Sequence, residues 1–124
     1  MTRNYEDLLA WQKAHEFVLN VYRVTALFPD VEKFCLVSQF RRAAVSIAAN
    51  IAEGYRKIGK ADKLRFLNMA QGSLEECRYY ILLSSDLNYI NEEQRQSLHL
   101  LLYTCSRLLN SYCKGIVHNN GVCD

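Results

Sequence analysis

Apolar side chains recur along this chain at steps of three and four residues, in four separate stripes. The first runs Leu8, Trp11, Ala14, Val18, Val21, with Thr25 completing it. The second is Leu36, Phe40, Ala43, Ile47, Ile51, Gly54 and Ile58; the third is Leu67, Ala70, Leu74, Cys77, Ile81 and Ser84. Leu98, Leu101, Cys105, Leu108 and Tyr112 form the fourth. That spacing gathers side chains on one face of a helix. Asn4 is a candidate cap for the first helix, with Glu6 and Asp7 in its first turn, and Phe28-Pro29 ends it. Asn91 and Gln94 form a capping-box variant at the start of the fourth. The longest connection, residues 28–35, is predicted to hold an extra turn after an Asp30 cap. The spacing predicts helices over about 5–27, 36–58, 61–87 and 91–115. Joined by short links, they make an all-α, antiparallel up-down-up-down four-helix bundle over residues 1–115. Residues 116–124 are expected to form a flexible C-terminal tail.

The second helix departs from the usual half-polar pattern. Gln39, Arg42, Ser46, Asn50, Glu53 and Lys57 fall within about 60° of one another at 100° per residue. Beside this narrow line stand Ala43, Ala44, Ala48, Ala49 and Ala52. Small residues on both flanks imply close contact on more sides than one core requires, so Gln39, Arg42, Ser46, Asn50 and Glu53 are candidates for a polar seam or subunit contact. Gly72-Ser73 in the third helix points the same way, since glycine there costs about 0.5–1 kcal/mol relative to alanine. Arg42 and Glu53 lie about 16 Å apart along the axis and cannot pair with each other. If buried, each needs a partner such as Glu75 or Arg78. A solvated stripe accounts for the polarity, but not for the small flanks.

Composition narrows the class. With 124 residues, half of them hydrophobic, the chain can bury one core without staples. One proline and five glycines argue against a β-rich fold. A formal charge of +2 does not by itself announce a nucleic-acid partner, so the placement of charge has to carry that argument. The five cysteines form no CxxC pair, and Cys77 and Cys105 sit on apolar faces, which suits a reducing compartment better than a disulfide framework. The N-terminal residues lack an apolar signal region, and the greasy run from Leu98 to Leu109 is too short and too interrupted to span a bilayer. The expectation is a cytoplasmic protein with no membrane partner.

Catalytic signals are weak. His15-Glu16 is isolated rather than part of HExxH, and Glu75-Glu76 lacks the Glu-x-x-His motifs of a bundle metal site. Ser46 and Ser73 have no evident histidine base. The sequence therefore predicts no enzyme activity, no catalytic residues, no metal site and no cofactor. Tyr79, Tyr80, Tyr103 and Tyr112 are read as core-filling rings with hydroxyls at the rim rather than as stacking platforms.

Positive charge concentrates between the second and third helices, where Arg56, Lys57, Lys60, Lys63 and Arg65 stand near Tyr55 and Phe66. Two readings are open: a solvated corner favoured by the helix dipole, or a patch contacting phosphates. The second would bind DNA or RNA backbone with little regard for sequence.

The stretches "LLAWQKAHEFVLNVYRVTALFP", "SQFRRAAVSIAANIAEG" and "FLNMAQGSLEE" resemble the four-helix-bundle family encoded by intervening sequences in bacterial 23S rRNA genes, also labelled the S23 ribosomal protein family. The similarity runs from about Tyr5 to Ile90; the fourth helix matches in pattern more than in letters. Cys35 departs from it, standing where the family usually has glycine. The resemblance implies a homopentameric ring of antiparallel bundles. More distantly it implies similarity to the accessory variability protein of diversity-generating retroelements, which binds nucleic acid and partners a reverse transcriptase. In a ring, a modest basic corner becomes a circle of like charge. The alternative is an interaction scaffold or accessory subunit that grips another protein without touching nucleic acid.

Overall fold

The computed structural model describes residues 4–118. Four α-helices account for nearly all of them: α1 (Leu9–Thr25), α2 (Leu36–Arg56), α3 (Lys60–Asp86) and α4 (Glu92–His118). Each packs on its neighbours in sequence, and α1 closes the cycle against α4. This is the expected up-down bundle. Its centre is filled by Phe17, Phe40, Ile47, Ile51, Leu67, Leu98, Leu102 and Leu109, all fully buried from the four stripes.

Element ends follow local chemistry, with corrections to the expected bounds. Asn4 does cap, but it caps a separate 3-10 turn (Tyr5–Asp7), its Oδ1 accepting from the Glu6 amide at 2.8 Å. The α-helix proper begins only at Leu9 and ends at Thr25, whose hydroxyl bonds back to the Val21 carbonyl at 2.7 Å. A second 3-10 turn (Asp30–Glu32) fills the long connection, with Pro29 rather than Asp30 in the capping position. The capping box at α4 is complete: Asn91 Oδ1 accepts from the Gln94 amide, and Gln94 Oε1 from the Asn91 amide, each at 2.8 Å.

The end of α3 is a Schellman turn that the apolar pattern does not announce. Asn88 has φ 62°, the left-handed region asparagine tolerates better than most residues. Its amide donates to the Ser85 carbonyl and that of Tyr89 to Ser84. The C-terminal bound also moves. Residues 116–118, expected in the tail, continue α4, and Ile116 is buried; residues 119–124 lie outside the described ones. Cys77 and Cys105 are buried free thiols, as their stripes imply, and burial pushes the Cys105 thiol up to about 12.

Candidate nucleic-acid interface

The polar line of α2 divides between two environments. Its middle turns toward α3: Ser73 Oγ donates to Ser46 Oγ at 2.8 Å, and Asn50 Nδ2 donates to the Ser46 carbonyl at 2.9 Å and to its Oγ at 3.0 Å. Ser46, Asn50 and Ser73 therefore form a hydroxyl–amide seam inside one protomer. Farther along, Glu53 pairs with Lys57 on the same helix at 3.8 Å, and both are substantially exposed. The expected cross-helix partners of Arg42 are engaged with each other, Arg78 meeting Glu75 at 3.3 Å. Arg42 and Gln39 stay exposed, and Arg42 has no polar partner among the described residues.

The small flanks divide as well. Ala43, Ala44 and Ala48 are buried in the protomer's own core, and Ala52 is half-buried; Ala49, beside the exposed Val45, faces outward. Close approach of α2 to α3 is achieved at a different residue, Gly54. A methyl group there would stand 3.1 Å from Leu67 carbons and 3.2 Å from the Lys63 carbonyl oxygen. Gly72, by contrast, faces open space. The α2–α3 contact thus explains most of the alanines and Gly54, but neither Ala49 nor Gly72.

At the basic corner, the five candidates separate by geometry. Lys63 is only 3% exposed. Its ammonium donates to the Tyr55 carbonyl at 2.6 Å and lies 3.4 Å from that of Gly54, closing the C-terminal turn of α2. A helix end leaves carbonyls unpaired and carries partial negative charge, so a cation there is used twice. This position is incompatible with a phosphate contact, which corrects the expectation for Lys63. Lys60 serves α4 similarly, donating to the Val117 carbonyl at 2.9 Å, but remains partly accessible.

The other three face solvent more freely. Lys57 and Arg65 flank one ring: the Lys57 ammonium lies 4.9 Å from the Phe66 centroid and the Arg65 guanidinium 4.6 Å. Arg65 also meets Asp62 at 3.5 Å, while Arg56 is exposed. The corner therefore presents a cation–aromatic–cation cluster on the surface.

Several surface features escape the periodic pattern. Tyr79 and Tyr103, expected as core rings, are 56% and 50% exposed, whereas Tyr80 and Tyr112 pack partly against the core. Tyr80 donates its hydroxyl to Glu76 at 3.2 Å. Arg41 bridges α1 and α2, donating through Nε to Thr25 Oγ1 at 2.9 Å with its guanidinium 4.4 Å from the Tyr22 ring. Leu27, Val31 and Phe34, on the connection between these helices, are almost wholly exposed. The available signal was large apolar residues within a segment too short for a stripe.

No described helix is long and apolar enough to cross a membrane. Among the described residues, no three histidine, cysteine or acidic side chains gather as a metal site.

Comparison with known proteins now places the bundle. No curated protein matches the chain significantly. A crystallised protein of unknown function from the S23 ribosomal protein family of Bacteroides thetaiotaomicron has the same fold, with a TM-score of 0.78 at 28% identity over 86% of this chain and 99% of that one. The family description "23S rRNA-intervening sequence protein" matches residues 6–111, so the chain belongs to the 23S rRNA-intervening sequence protein family.

Proposed function

We propose that this chain is a non-enzymatic, self-associating protein that binds nucleic-acid backbone, without reading sequence, at the corner where α2 meets α3. The observation that carries this reading is the Phe66 ring held between Lys57 and Arg65 with Arg56 exposed nearby. Cations supply phosphate neutralisation, and a ring supplies a face on which any base can stack. The competing ion pairs, Lys57–Glu53 and Arg65–Asp62, are solvent-exposed, so each is worth at most about 1 kcal/mol and gives way to phosphate. Lys60 lends charge from its place on α4, and Lys63 supports the corner from inside.

Four cations make a weak site in a single copy. Repetition in an oligomer, for which the family resemblance supplies the homopentameric ring, multiplies the number of contacts made at once. The test is a gel shift with mixed-sequence DNA and RNA probes. The triple variant Arg56→Glu, Lys57→Glu, Arg65→Glu should lose the shift at unchanged particle mass, and wild-type affinity should fall steeply with salt. An unchanged shift in the triple variant overturns the assignment. The second reading, a protein scaffold, is favoured by the exposed Leu27, Val31 and Phe34. It predicts a stoichiometric protein partner whose co-purification survives nuclease.

A further inference from the structure

We infer that copies of this chain join head to tail, the α1–α2 connection of one copy seating Phe34 in the α3–α4 cleft of the next. The inference rests on the self-association half of the reading above and names the two surfaces that meet.

The first surface is an ordered apolar knob. Phe34 is 86% exposed, Leu27 81% and Val31 78%. They are not on a loose segment. The intervening Phe28 is buried against Tyr89, and Glu32 accepts from the Tyr89 hydroxyl at 2.8 Å and from the Leu36 amide at 3.3 Å. Ordering three large apolar groups into water is unfavourable unless something covers them. Phe34 borders a groove shared with Tyr22 of α1 and Arg41 and Val45 of α2, so the knob belongs to the α1–α2 flank.

The second surface is a cleft of about 430 Å³ on the α3–α4 flank. Tyr79 and Leu82 offer half-exposed apolar area, and Glu75, Arg78, Arg95 and His99 rim it. The charges match. Asp30 and Lys33 stand beside the knob, both exposed, to meet the cationic rim and Glu75 respectively. Arg78 with Glu75, and Arg95 with Glu92, are exposed pairs that exchange partners at little cost.

Placement supplies the assembly rule. α1 contacts α2 and α4, and α3 contacts the same two, so the α1–α2 and α3–α4 flanks are opposite sides of the bundle. Both surfaces lie toward one end, since the knob's Phe28 touches Tyr89 in the α3–α4 connection. Two different patches on opposite flanks at similar height form a heterologous contact with little axial rise, which favours closed rings over filaments.

The test uses Phe34→Asp and Leu82→Asp, changes at exposed positions, with mass measured by light scattering and helicity by circular dichroism. Wild type should be a multi-chain particle. Each variant should stay helical and self-associate at least about tenfold more weakly, the loss expected for one buried large side chain. Mixed in equal amounts, the variants retain one intact knob and one intact cleft, so they should form a two-chain particle. A variant of wild-type mass, or a mixture of single chains only, overturns the inference while leaving self-association standing. A single-chain wild type overturns both. Should either aspartate unfold its bundle, the exposed swap decides: Lys33→Glu and Glu75→Lys should each weaken assembly, and together restore it. No restoration refutes the pairing.

Discussion

Replacing Lys63 with methionine removes one ammonium and keeps most of the apolar stem that fills the α2–α3 corner. The lost interaction is a short charge-assisted bond to the Tyr55 carbonyl at 2.6 Å, with a weaker one to Gly54 at 3.4 Å. A hydrogen bond to a charged group contributes about 1.5–3 kcal/mol, and a buried carbonyl left unpaired adds a further cost. Release of a desolvated charge works in the opposite direction. The half-buried Tyr55 lets water reach part of the vacated site, which limits the penalty. The net expectation is a loss of about 2 kcal/mol. With 124 residues and an unfolding entropy of about 2.1 cal/mol/K per residue, that lowers Tm by about 8 °C. Thermal melts followed at 222 nm, at one fixed protein concentration, measure it. The same variant should bind nucleic acid as wild type does at temperatures where it is folded. An unchanged melt together with weakened binding would show that Lys63 faces phosphate, and would refute the capping argument.

The two helix glycines of α2 and α3 should respond oppositely to alanine. Gly54→Ala presses a methyl group on Leu67 and on the Lys63 carbonyl, so strain of about 1–3 kcal/mol outweighs the gain in helix propensity and lowers Tm. Gly72→Ala meets open space and should raise stability by about 0.5–1 kcal/mol in the same melts. Among the described thiols, Cys35 should react fastest with a thiol reagent, whereas Cys77 and Cys105 should react only on unfolding. Burial raises both of these thiols above their ordinary value of 9.0, so the folded chain keeps protons that the unfolded chain releases. Their contribution to stability is therefore constant below pH 9 and declines above it, which denaturant titrations across that range will register.

Much of the fold was legible because a helix repeats every few residues. The stripes from Leu8 to Tyr112 and the Asn91–Gln94 box depend only on neighbours along the chain, and the structure places them as the spacing requires. Lys63 was misread although it lies one turn before Leu67 on the third stripe. Charge argued for solvent, and only the approach of α3 to the end of α2 supplies the carbonyls that make its burial favourable. Nor could the line Gln39, Arg42, Ser46, Asn50 and Glu53 be divided from sequence. Periodicity assigns a side chain its angle on a helix, but not which neighbour covers that angle. Rotation of α2 against α3 decides that Ser46 meets Ser73 while Arg42 stays in water. The sequence by itself thus determined the helices and their buried faces, because these follow from short-range geometry. Tertiary structure alone decided which cations are spent on helix ends and which remain free, because that depends on how separate helices meet.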